Sequence, residues 1–309
     1  MVIFFALLAA LANALASVCQ RLGVEDAPTN KGPSLGLIRH MLSRRVWLVG
    51  FAIMAGGYAS QAVALHLGSL NLVQPLMVSE LVILVLVLWL WYFTPLRPRD
   101  LVGAGATAVG LAAFLAVASP TSGTRVPSNG LWVTTGIIVI VVVLAFVTLG
   151  ASGPGWRRAL LLGTGASTGF ALLAAITKSF TDVAVTNGGG IFASWQLYAI
   201  CVVGLGSFLI MQNAFQVGPF AASQSALILV NPFVSLLVGY VLYGERLRGG
   251  PLNVTLEVLS LLVMVAGAVV VSTSPLIASV HDETGAEHLL QGRGRYARWV
   301  QRRLHASTR

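Results

Sequence analysis

The chain has 309 residues, 56% of them hydrophobic and only 9% charged, whereas ordinary soluble domains carry about 25% charged residues. So little polar surface excludes a water-soluble protein of this length, and apolar runs of roughly 20 residues recurring from end to end make it a polytopic membrane protein built as one bundle. The net charge of +9 gathers in short loops and in the last stretch after the final apolar run; no basic face interleaved with aromatics exists, so nucleic acid is not expected as a partner.

The first apolar run, Val2–Gln20, contains Ala14-Leu15-Ala16, which mimics a signal-peptidase site. No positive leader precedes it and the first basic residue is Arg21, so it is read as a retained span. Leu35–Arg45, LGLIRHMLSRR, is expected to lie as a basic amphipathic helix on the cytoplasmic surface. Spans follow at Val46–Leu67, Leu70–Phe93, Leu101–Ala118, Leu131–Leu149, Trp156–Phe180, Ile191–Gln216, Phe220–Tyr243 and Leu252–Thr273, nine with the first. Pro, Gly and Ser punctuate them in TPLRPRD, SPTSGTRVPSNG and ASGPG. Residues 277–309 form a basic tail, whose segment Tyr296–Leu304 could lie on anionic lipid headgroups.

Basic residues favour one side of the membrane. Arg21, Lys31, Arg39, Arg44, Arg45, Arg97, Arg99, Arg157, Arg158 and the tail arginines share it, while Arg125, Arg246 and Arg248 lie on the other. The positive-inside rule therefore places the protein in the cell membrane with its N-terminus outside and its C-terminus in the cytoplasm.

Internal similarity adds a plan. Laid over Ala214–Gln224, the stretch Ala64–Gln74 matches at Ala64, Gly68 and Gln74 against Ala214, Gly218 and Gln224 without a gap. The expected fold is all-α, an inverted repeat over residues 1–276 with spans 1–4 answering spans 6–9 and span 5 between them. The first repeat covers 1–120 and the second 131–276. Inverted repeats with a midplane site at their interface are a recurring transporter plan.

Polar residues inside apolar runs mark candidate sites. Glu80 lies about ten residues into span 3, where insertion scales charge roughly 2.5–3.5 kcal/mol for an ionised aspartate and a similar amount for glutamate. Asn231, one residue past the Glu80 equivalent, could face it across the repeat interface, and Pro232 kinks the middle of span 8. Gln74 and Gln224 are the paired amides of the repeat; Gln61 and Gln212 add polarity to spans 2 and 7. Pro75 reads as a first-turn proline, and Gly68 and Gly218 as turn glycines. Lys178 ends span 6, where it can snorkel or reach Glu80. Gly165-Ala-Ser167-Thr-Gly169 has the spacing of a hydrolase elbow but sits inside an apolar helix, so its small residues are read as packing, like Gly103, Gly105 and Gly110. Cys19 and Cys201 have no metal-ligand or disulfide spacing. No cofactor is expected, and the absence of a nucleotide-binding loop, metal triad or nucleophile–histidine pair speaks against an ATP-driven pump or an enzyme.

The segment NPFVSLLVGYVLYGERL, Asn231–Leu247, resembles the proline-to-Gly-Glu segment of the drug/metabolite transporter (DMT) superfamily, EamA type, through Pro232 and Gly244-Glu245. The nine-span count with an external N-terminus is similar to the NIPA-like magnesium transporter branch. The resemblance implies a ten-helix plan of two five-helix repeats, from which one helix of the first half is missing here, and TPLRPRD stands where a first-half Gly-Glu belongs. It implies a transporter without naming a substrate; the expected function is transport of a small solute by alternating access, with Glu80 as a proton- or cation-sensitive group. A magnesium or other divalent-cation carrier and a non-transporting membrane subunit are the rival expectations, and a homodimer is left open.

Overall fold

A computed structural model of the chain describes residues 1–24, 45–92, 97–121, 123, 125–186, 188–218, 220–248 and 250–273. The expected surface helix at Leu35–Arg45 falls, but for Arg45, outside the described residues, and the whole basic tail does so too. The helices are α1 (Val2–Val24), α2 (Arg45–Leu67), α3 (Leu70–Met77), α4 (Ser79–Tyr92), α5 (Pro98–Ala118), α6 (Asn129–Leu149), α7 (Gly155–Thr186), α8 (Trp195–Val217), α9 (Phe220–Val238) and α10 (Pro251–Ser272). A short 3-10 turn, Gly188–Ala193, precedes α8, and a π-turn, Gly239–Tyr243, ends α9. The described residues are all-α, with an isolated bridge between Thr121 and Arg246.

Local chemistry sets the helix starts. The Ser69 hydroxyl accepts the Leu72 N–H at 3.1 Å to open α3, and the Ser128 hydroxyl accepts the Leu131 N–H at 3.3 Å to open α6. Pro98 and Pro251 stand in the first turns of α5 and α10, where a missing N–H costs nothing.

Among the described residues eight segments are long and apolar enough to cross a membrane, with α3 and α4 forming one of them over Leu70–Val87. The apolar part of α1, Val2–Ala16, is shorter than these. Large aliphatic side chains stay exposed along α6 (Ile137, Ile138, Val141, Leu144) and α8 (Val202, Leu205, Leu209). Surfaces of that kind suit hydrocarbon rather than water.

Helix α7 is the hub, touching α2, α6, α8 and α9, and it is the most buried of the spans. Around it α1 packs on α2, α5 on α10, and α3 against α9. Two contacts show how small residues bring helix backbones together. A Cβ on Gly110 of α5 would overlap the Met264 backbone of α10, and Gly169 of α7 lies against Ser207 of α8. Gly103 shares the α5–α10 contact, but Gly105 faces open space. The packing role expected of Gly105 is therefore wrong, since it points to the opposite side of α5.

Helices α2 and α8 are both 23 residues long. Two residues, the first a glycine, Gly68 or Gly218, separate each from the start of α3 or α9. A Cβ on Gly68 would strike Val2 at the start of α1, and one on Gly218 would strike Gly155 at the start of α7. Span 3, expected as one helix, is broken at Val78. Pro75 is the sixth residue of α3 and not a first-turn residue. Its ring removes the hydrogen bond that the Asn71 carbonyl would receive, the Val78 N–H turns back to the Pro75 carbonyl at 3.1 Å, and the Ser79 hydroxyl donates to the Leu76 carbonyl at 2.7 Å.

Candidate functional site

Two proline-bearing helices, α3 and α9, meet along a polar seam. On α9, Asn231 and Ser235 are four apart and so share one face, and Gly239 follows four residues on at the start of the π-turn. On α3, Asn71 and Gln74 are three apart and share another. The Asn231 amide donates to the Gln74 carbonyl oxygen at 3.1 Å, which pins the two faces together. Gln74 and Asn71 are each 2% exposed and Ser235 is fully buried.

The seam is incompletely satisfied. Gln74 Nε2, Asn231 Oδ1, Ser235 Oγ and Asn71 Oδ1 are buried with no hydrogen-bond partner among the described residues. Membrane hydrocarbon offers no substitute, and each unmet group costs several kcal/mol there. Pro232 also frees the Ile228 carbonyl inside α9. A concentration of unmet buried groups at one contact calls for a bound water, an ion or a solute to satisfy them.

At one end of the seam lies an ionic knot. Glu245, fully buried just past the π-turn, accepts the Leu70 N–H at 2.7 Å and the Asn71 N–H at 2.9 Å. Its carboxylate thus caps the first turn of α3, where the helix dipole favours negative charge. Lys178 of α7 lies 2.8 Å from Glu245 Oε1, donates to the Gly68 carbonyl at 2.7 Å, and stands 4.8 Å from the centre of the Tyr243 ring. The Tyr243 hydroxyl donates in turn to the Ala175 carbonyl at 2.6 Å. These bonds tie the α2–α3 turn to α7 and to the end of α9. On the same side His66 of α2 meets Asp182 of α7 at 2.5 Å, and Tyr58 of α2 bonds Thr177 of α7 at 2.7 Å.

Gly239 makes the knot possible. A Cβ there would come within 2.5 Å of Asn71 Oδ1 and 2.7 Å of Glu245 Oε2. Gly239→Ala should therefore destabilise the protein by about 1–3 kcal/mol as the two side chains are pushed apart. Thermal denaturation in detergent reads this directly, and a variant as stable as the parent would refute it.

The sequence-derived candidates divide. Gln74 and Asn231 come together in the seam, and Pro232 is buried beside Asn231. Glu80 does not join them: it is in the first turn of α4, half-buried, and accepts a hydrogen bond from Asn13 of α1 at 3.3 Å. The break at Val78 resets the helix and turns Glu80 toward α1, so the expected face-to-face pair of Glu80 and Asn231 is corrected. Lys178 is not a snorkelling end residue either. Helix α7 runs on to Thr186, and the lysine's partner is Glu245 rather than Glu80. Gln61 is half-buried on α2, between Tyr58 and His66. Gln212 and Gln224 lie on α8 and α9, with their side chains outside the described residues.

Ser235, Asn71 and the functional place of Glu245 escaped the sequence reading. Asn231 and Ser235 are one helical turn apart, a spacing that would have found Ser235 once Asn231 was chosen. Nothing local in the sequence joins Glu245 to a turn 174 residues earlier.

No family model matches the chain, and no solved structure matches it. An uncharacterized protein of Corynebacterium glutamicum is 23% identical over 271 residues, covering 87% of this chain and 94% of that protein.

Proposed function

We propose that the protein is a secondary transporter that moves a small solute through the α3–α9 seam by alternating access. The observation that carries this reading is the row of unmet amide and hydroxyl groups held between two proline-bearing helices in a membrane protein. Such helices tolerate disrupted backbone bonding where they line a pathway. Helix α1 serves as the ninth span, which puts the N-terminus outside and the C-terminus in the cytoplasm of a cell-membrane protein. Helices α1–α5 and α7–α10 act as two inverted halves, with α3 and α4 together counting as one span. The equal lengths of α2 and α8, and the matched collisions at Gly68 and Gly218, support that symmetry. So does the likeness of Asn231–Leu247 to the drug/metabolite transporter superfamily.

In this reading the ionic knot around Glu245 closes the external face, because the α2–α3 turn lies there. Opening requires the Glu245 carboxylate to leave the first turn of α3 or to move with it. Glu80, bonded to Asn13 on the far side of α4, is the group through which a proton or cation gradient couples.

The test is flux into proteoliposomes across a panel of metabolites and Mg²⁺, comparing the parent with Asn231→Ala and Glu80→Gln. Solute uptake reduced at least about tenfold by Asn231→Ala is expected, since a lost buried hydrogen-bond partner is worth 1.4 kcal/mol or more. Glu80→Gln is expected to abolish the accompanying pH change. Mg²⁺ flux alone would replace the solute reading with the divalent-cation one, and no flux of any kind, with a partner protein copurifying, would favour a non-transporting subunit.

A further inference from the structure

Resting on the transport reading, we infer that the α3–α9 seam takes an uncharged solute carrying both a hydrogen-bond donor and an acceptor. The Gln74–Asn231 pair decides what the seam has left to offer. Two side-chain amides joined by one hydrogen bond always leave one nitrogen and one oxygen over. In the present arrangement these are Gln74 Nε2 and Asn231 Oδ1. Turning both amides about preserves the bond and leaves the opposite pair. Turning only one sets oxygen against oxygen or nitrogen against nitrogen and breaks it. The seam therefore offers one N–H donor and one carbonyl acceptor whichever way the amides lie.

That mixed offering decides between ligand charges. A metal or ammonium ion would be met by the spare amide N–H, which repels it. An anion would be met by the spare carbonyl and by the carbonyl freed at Ile228. A neutral molecule bearing an N–H or O–H beside a carbonyl or hydroxyl satisfies both groups, and Ser235 Oγ, fully buried and also without a partner among the described residues, can serve either role.

The charged groups around the seam are already engaged. Lys178 and Glu245 bind each other at 2.8 Å, the carboxylate also takes two backbone N–H groups, and the ammonium also takes the Gly68 carbonyl. Glu80 is held by Asn13 on α1, away from α9. His66 and Asp182 pair between α2 and α7. Among the described residues, a charged solute entering between α3 and α9 would find no counter-ion that is not already engaged.

Matched probes on one skeleton test this: N-acetylglycinamide is neutral, N-acetylglycinate is an anion and glycinamide is a cation, with Mg²⁺ as a fourth. Thermal stabilisation of the purified full-length protein reads binding, and uptake into proteoliposomes reads transport. The neutral probe should stabilise the parent, and its concentration for half-effect should rise at least about tenfold in Asn231→Leu. Ser235→Ala, a milder change in case Asn231→Leu folds poorly, should shift it in the same direction.

Preferential binding of either charged analogue or of Mg²⁺ would overturn the inference, as would failure of the neutral probe to bind or indifference to both substitutions. Binding of the neutral probe without uptake would sustain the inference while removing the transport reading. Uptake confined to ions would do the reverse.

Discussion

Replacing Glu245 with Gln should cost more stability than replacing Lys178 with Met, and the double variant should cost less than the sum of the two. Breaking a buried ion pair by removing one partner costs about 3–5 kcal/mol, because the other charge is left uncompensated. The two partners are unequal here. When Lys178 is lost, the Glu245 carboxylate keeps the Leu70 and Asn71 N–H groups at the first turn of α3. When Glu245 becomes Gln, Lys178 keeps only the Gly68 carbonyl and the Tyr243 ring face, while the new amide N–H₂ is turned against donors. A double-mutant cycle read by thermal unfolding in detergent measures the coupling. Equal losses that simply add would show that the carboxylate and the ammonium act independently, and the knot would then be no clasp.

Gly110→Ala should be among the most damaging single-methyl changes in the chain, whereas Gly105→Ala on the same helix should be harmless. The added Cβ at 110 lands on the Met264 backbone of α10, which has no side-chain rotamer through which to yield. Overpacking a side-chain contact costs about 1–3 kcal/mol; a clash with backbone belongs at the upper end of that range or beyond it, as α5 and α10 must separate along their length. At 105 nothing lies within 4 Å, so alanine brings only its better helix propensity, up to about 1 kcal/mol. Yield of monodisperse protein and its thermal midpoint would separate the two. Equal behaviour of both variants would mean that α5 and α10 do not cross this closely.

The apolar runs made most of this architecture legible. Helix α2 begins within one residue of its expected start and α10 lies one residue from its expected bounds, because hydropathy over about 20 residues is a coarse but sturdy signal. Interruptions inside runs were read poorly. Pro75 reads as a first-turn residue even though the expected start, Leu70, is the observed one; as the sixth residue of α3 it interrupts the helix, which breaks at Val78. Helix α7 runs six residues past its expected end at Phe180, and the Asp182 carboxylate in that extension is matched by His66. Gln74 and Asn231 could each be suspected from sequence, as isolated amides in hydrocarbon, yet their meeting depends on how two distant helices rotate about their axes. Glu245 stood in plain view as part of Gly244-Glu245, but as a family mark; its role as a cap on another helix is a purely tertiary fact.

That cap is also a matter of timing. Leu70 and its acceptor on Glu245 are 175 residues apart in the chain. At a ribosomal pace of about 5–20 residues per second, roughly 9–35 s separate the emergence of the one from that of the other. Throughout that interval the first turn of α3 has its donors exposed, and for the last part of it Lys178 carries an unanswered charge. Nascent chains therefore pass through a stage in which the front half is threaded but unfastened, and the start of α3 waits on a residue made much later. A chain interrupted before residue 245 would hold most of the hydrophobic mass of the protein and still lack the group that fastens α3 to α7, which makes such a fragment a natural substrate for membrane quality control.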